Sequence, residues 1–186
     1  SIGPLGHLLK PLGAVEEADA VTAYRDQARI LDEAGVDLLV IETQYDLAEA
    51  RAAIGAVRSV SSLPLVCSFS FDRGTRTMMG VRPEQIGKEL PLLGVDVVGI
   101  NCGRSLDENY QALQELASAT SLPLWFKPNA GLPRLDGEGR PVYDLTPERM
   151  EQAVSSWVKA GARIVGGCCG TSPDHLRAIA RAVRQL

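Results

Sequence analysis

Short apolar runs alternate with amphipathic stretches along the whole chain. Val36-Asp37-Leu38-Leu39-Val40-Ile41 is almost continuously apolar and closes on Glu42-Thr43. A run of that kind suits a parallel strand buried on both faces. Similar runs cover residues 64–71, 95–102 and 123–128, and a last one, Ala162-Arg163-Ile164-Val165, stops abruptly in Gly166-Gly167-Cys168-Cys169-Gly170-Thr171. Between them the spacing turns helical. Ala20, Tyr24, Ala28 and Leu31 share one face of a helix over 18–34. Further helices are predicted over 46–60, 83–93, 107–120, 147–160 with Thr146 as N-cap, and 173–186.

The junctions repeat. Ala34-Gly35-Val36-Asp37, Leu93-Gly94-Val95-Asp96 and Ala160-Gly161-Ala162-Arg163 each lead from a helix into a strand, and Ser62-Leu63-Pro64-Leu65 and Ser121-Leu122-Pro123-Leu124 do the same between them. A βα unit therefore recurs about every 30 residues, which implies parallel pairing and right-handed crossovers. An open doubly wound sheet of five strands fits this order. So does an incomplete (β/α)8 TIM barrel of five full βα units, with Ser1-Ile2-Gly3-Pro4 as the tail of an earlier strand and the first units missing. The alternating junctions and the abrupt opening favour the barrel, as a single domain over residues 1–186 completed by an N-terminal remainder. Glu42, Asn101, Cys102, Asn129, Cys168 and Cys169 all fall at strand C-termini, the edge where α/β folds place their sites. The long stretches 72–82 and 129–145 lie on that edge and are lid candidates, the second with a hairpin tip at Asp136-Gly137-Glu138-Gly139.

Composition removes several function classes. With 186 residues, 45% apolar, 23% charged and a formal net charge of −4, the chain is an ordinary globular one. Its positive charges are scattered, so nothing calls for nucleic acid, and no run is long enough for a membrane span. Four cysteines in a chain with an adequate core point to thiols or metal ligands in a reducing compartment, here the cytoplasm, and no signal peptide is recognisable.

Adjacent side chains on a regular strand point to opposite faces, so Cys168 and Cys169 share a partner only where glycines free the backbone. Cys102 ends a strand two places away, which makes Cys102, Cys168 and Cys169 a candidate three-thiolate zinc site. Three protein ligands leave one position open. A zinc bearing three thiolates carries charge −1 and is a poor Lewis acid, yet it still deprotonates an incoming thiol. Activation of a substrate thiol for alkyl transfer is the chemistry that fits. Cys67, inside Leu65-Val66-Cys67-Ser68-Phe69, reads as core.

Gly99-Ile100-Asn101-Cys102, Lys127-Pro128-Asn129-Ala130-Gly131-Leu132-Pro133 and Gly166-Gly167-Cys168-Cys169-Gly170-Thr171 resemble the signatures of homocysteine S-methyltransferases, and Ser1-Ile2-Gly3-Pro4 and Ile41-Glu42-Thr43 match the same family's earlier strand ends. The resemblance is strongest to the homocysteine-binding module of the cobalamin-dependent enzymes. It implies one zinc per chain on Cys102, Cys168 and Cys169, with the homocysteine sulfur as fourth ligand. It also implies Glu42 on the substrate's α-amino group, and a methyl donor, methylcobalamin on another domain or a diffusible molecule. Methionine is the implied product. The family's first strand, whose Asp-Gly turn holds the substrate carboxylate, has no counterpart here.

Asn101 is expected at the same site, contacting substrate or shaping the turn, and Asn129 is read likewise. His175 is expected on the surface of the last helix, and Met78-Met79 in packing. His7 lies in a loop and tells nothing. Two other classes compete: a vicinal-thiol redox or metal-storage protein using Cys168-Cys169, and a phosphate-binding barrel using the glycine turn and helix start after Cys169.

Overall fold

The computed structural model describes residues 1–186. Six helices and five main strands alternate: α1 (Glu17–Glu33), β1 (Leu39–Gln44), α2 (Leu47–Arg58), β2 (Leu65–Phe69), α3 (Pro83–Glu89), β3 (Val97–Cys102), α4 (Leu106–Ala117) and β4 (Leu124–Pro128). A small hairpin, β5 (Arg134–Leu135) and β6 (Pro141–Val142), precedes α5 (Pro147–Lys159), β7 (Ala162–Val165) and α6 (Pro173–Val183). The sheet order is β1-β2-β3-β4-β7, every pair parallel. Ile2 extends it by one bridge: its N–H donates to the Val40 carbonyl at 2.7 Å, and its carbonyl accepts from Glu42 at 3.0 Å. This is the expected tail of an earlier strand, and the architecture is that of an incomplete (β/α)8 barrel.

The helix predicted over 83–93 ends early. Pro91 has no N–H and crowds the preceding turn, so α3 stops at Glu89 and Leu90–Leu93 tighten into a 3-10 turn. Gly35, Gly94 and Gly161, the glycines of the recurring junctions, all have positive φ, which lets each helix turn into its strand.

Register separates the two faces of the sheet. Leu39, Ile41, Cys67, Val98, Ile100 and Phe126 face the helices in one continuous core, where the Phe126 ring meets Trp157 of α5 edge-on at 5.1 Å. The alternate positions line the other, inner face: Glu42, Ser68, Asn101, Trp125, Lys127 and Ile164. The polar groups are thus concentrated on the concave face, near the strand C-termini.

One buried polar cluster escaped the sequence reading. Glu49, in the first turn of α2, is fully buried and accepts from the Tyr24 hydroxyl at 2.5 Å and the Leu5 N–H at 2.6 Å. Its Oε2 has no protein partner, nor has either amide atom of buried Gln44. Burial, with the Glu49 carboxylate beside it, pushes the Tyr24 hydroxyl above its usual range, so it stays a donor. Tyr24→Phe leaves the carboxylate with the Leu5 N–H alone, and the expected cost in urea unfolding is about 1–3 kcal/mol. A null effect would mean that solvent satisfies Glu49.

Candidate metal centre

On a regular strand Cys102 would face the helices, because it is in register with Pro128 and shares the parity of Ile100 and Phe126. It does not. Its φ of 59° turns the residue at the end of β3, and its Sγ comes within 3.0 Å of Cys168 Sγ and 3.9 Å of Cys169 Sγ. Gly103 follows with φ 83°, where a Cβ would strike Asn109 Oδ1 at 2.1 Å. Asn109 uses that space to donate from Nδ2 to the Cys102 carbonyl at 2.6 Å.

The second cysteine turn is stitched to the end of β4. Cys168 N–H donates to the Pro128 carbonyl at 3.0 Å, and Ala130 N–H donates to the Cys169 carbonyl at 2.9 Å. Thr171 Oγ1 closes the turn on the Cys168 carbonyl at 2.7 Å. Asn129 spans both turns: its Oδ1 accepts from Cys169 N–H at 3.0 Å, and its Nδ2 donates to the Gly103 carbonyl at 2.9 Å. Both ends of its amide are therefore engaged by the backbone of the two cysteine turns. The 129–145 stretch packs on the same turn, since a Cβ on Gly170 would strike the Tyr143 ring at 2.3 Å.

The three sulfurs lie within 4.8 Å of one another, Cys169 exposed and the other two half-buried. Thiolates sharing one zinc at about 2.3 Å sit just under 4 Å apart, so the cluster is close to the spacing such an ion needs. Cys102 as S–H donor and the Asn101 amide hold the Cys168 thiol well below its usual range, against burial. The same contact with Cys168, together with burial, pushes Cys102 up, and burial raises Cys169. Cys67 stays out of this chemistry: it is fully buried on the helix-facing side, and burial pushes its thiol up.

Glu42 stands on the inner face at the end of β1, accepting from the Ser1 hydroxyl, with Lys127 Nζ 3.9 Å from its Oε2. Its side chain is 23% exposed, so the carboxylate is accessible from the concave side. Lys127 in turn lies over the Trp125 ring at 5.0 Å.

The family model for homocysteine S-methyltransferases matches residues 1–183. The chain belongs to the homocysteine S-methyltransferase family. It is similar to methionine synthase of Mycobacterium leprae, 33% identical over 98% of this chain and 16% of that protein. Methionine synthase of Mycobacterium tuberculosis is likewise 33% identical, over 100% of this chain and 16% of its own length. The chain thus spans about a sixth of the curated relatives it matches. Among solved structures, the apo form of the Escherichia coli homocysteine methyltransferase MmuM superposes with a TM-score of 0.77 at 26% identity, covering 97% of this chain and 60% of that one. The metallated form of MmuM gives 0.70 at 28% identity, over 87% and 52%.

Within this family member, the helix after the cysteine turn corrects one expectation. His175 is not on the surface: only 8% exposed, it accepts the Ser172 N–H on Nδ1 at 3.1 Å. Nε2 therefore carries the proton and donates to the Leu145 carbonyl at 2.8 Å, tying the long 129–145 stretch to α6. The capping box that does this was legible as Ser172 three residues before His175. It also weakens the phosphate alternative. Proline at the first helical position has no N–H, and the third N–H is taken by Ser172.

Proposed function

We propose that this chain binds homocysteine and presents its sulfur for methylation, giving methionine. The observation that carries this is the meeting of three sulfurs from two strand ends within 4.8 Å, on the same edge as an accessible carboxylate. Cys102, Cys168 and Cys169 would hold one zinc ion, leaving a position open for the substrate sulfur. When bound, the ion supplies a thiolate at neutral pH, because a coordinated thiol loses its proton.

The chain's own residues do the rest. Glu42 takes the α-ammonium group, which displaces Lys127 as the carboxylate's cationic partner. Asn129 keeps the two cysteine turns in one arrangement while substrate enters and leaves. In the transfer itself the substrate sulfur forms a bond to the methyl carbon, and the bond between that carbon and the donor breaks with its electron pair remaining on the donor. The thiol proton has by then gone to solvent. The donor is methylcobalamin on another domain or a diffusible methyl compound, arriving over the open ends of the strands. No helix is long and apolar enough to cross a membrane, and we place the reaction in the cytoplasm.

The vicinal-thiol alternative has less support. The short contact, 3.0 Å, joins Cys102 to Cys168 across two strands, and redox use of the pair gives Glu42 nothing to do.

X-ray absorption on the zinc-loaded chain tests the proposal. Homocysteine is expected to raise the sulfur count around zinc from about three to four, with release of about one proton at pH 7. A count unchanged by homocysteine would remove thiol activation.

A further inference from the structure

Only two residues other than glycine have positive φ, Thr43 at 62° and Cys102 at 59°. A single buried side chain joins them. Asn101 has no exposed surface. Its Oδ1 accepts the Thr43 N–H at 2.8 Å and the Ser68 hydroxyl at 2.7 Å. Its Nδ2 donates to Thr43 Oγ1 at 2.7 Å, and is 3.5 Å from Cys102 Sγ and 3.8 Å from Cys168 Sγ. Thr43 N–H is solely a donor, so it must meet the amide oxygen, and this fixes which end of the amide faces the sulfurs. The flipped amide would turn an oxygen lone pair toward them. One N–H is used on Thr43 and the other is shared between the two sulfurs, so no hydrogen-bonding capacity is left for a substrate.

Given the metal site proposed above, we propose that Asn101 is a positioning residue for the reaction. It fixes the distance between the two ends of the substrate by tying the strand end that bears Glu42 to the sulfurs of Cys102 and Cys168. Thr43 directly follows Glu42, so its N–H and hydroxyl, both held by Asn101, set where that carboxylate stands. The remaining N–H donates to thiolate sulfur and draws off electron density. The substrate it positions is the α-amino thiol of the proposed function. Cysteine, one methylene shorter, carries the same two groups at a closer spacing and so reads whether that spacing is set.

The test uses the full chain with cobalt(II) in place of zinc, together with calorimetry of homocysteine and cysteine binding to zinc-saturated protein. Asn101→Ala is expected to shift the sulfur-to-cobalt charge-transfer band to lower energy, because the thiolates become better donors. It is also expected to reduce the preference for homocysteine over cysteine about tenfold, the worth of one lost charge-assisted hydrogen bond. Thr43→Val removes only the hydroxyl acceptor. It should leave the cobalt band in place and still narrow the preference, which keeps the test open if Asn101→Ala does not fold. A parent chain that takes up no cobalt overturns the metal site itself. A parent that does, with the band unmoved in Asn101→Ala or the preference unmoved in Thr43→Val, overturns the positioning role alone.

Discussion

Serine in place of Cys102, Cys168 or Cys169 is expected to lower zinc affinity by at least about 100-fold, and serine in place of Cys67 to leave it unchanged. Losing a hydrogen-bond partner of a ligand costs roughly 10–100-fold in metal affinity, and losing a ligand must exceed that. The three sulfurs converge within 4.8 Å, and a hydroxyl at any of them is a far weaker ligand than a thiolate. Cys67 lies between Ile41 and Val98 on the helix-facing side of the sheet, separated from the cluster by the sheet itself. Its replacement should instead show in stability, by about 1–3 kcal/mol, because a serine hydroxyl there has no partner. Metal analysis after dialysis against a graded chelator separates the two outcomes. Equal loss in all four variants would dissolve the ligand assignment. A parent chain that holds no stoichiometric metal but forms a reversible Cys102–Cys168 disulfide would return the cluster to redox chemistry.

The strand and helix order was legible because buried parallel strands leave unbroken apolar runs, and because the junction glycines recur. The site was legible for a related reason: Cys102, Cys168 and Glu42 each close such a run, and parallel connections put all those closing residues on one edge. What the sequence hides is backbone handedness. Nothing in Ile41-Glu42-Thr43-Gln44 marks a threonine in the left-handed region, where a β-branched side chain is costly. Only the Asn101 amide, 58 positions later, explains it. Simple alternation from Val97 does put Asn101 on the inner face, but it puts Cys102 on the wrong one. Glu49 was hidden by distance in sequence, since its partner Tyr24 lies one helix earlier on a face that reads as plain core.

Glu42→Gln should separate the substrate's two ends experimentally. The carboxylate accepts from Ser1 and faces Lys127 at 3.9 Å, a long contact that an incoming ammonium group can replace with a closer one. Glutamine keeps the shape and the hydrogen bonding but removes the charge. Homocysteine binding is then expected to weaken by about 1.5–3 kcal/mol, or about 10- to 150-fold. Zinc content should not change, because the hydrogen bonds and ion pair of Glu42 involve Ser1 and Lys127 and none of the cysteines. The control is 4-mercaptobutyrate, which has the thiol and the carboxylate but no amine. It should bind parent and variant alike, or bind the variant slightly better once the negative charge is gone. Calorimetry on zinc-saturated protein gives both affinities. If the glutamine variant holds homocysteine as tightly as the parent, Glu42 serves only to anchor the Ser1 and Lys127 side chains, and the amino group is recognised elsewhere on the edge. If instead both thiols weaken together, the substitution has moved the end of β1, and the Thr43–Asn101 contacts are where that displacement would be transmitted to the sulfurs.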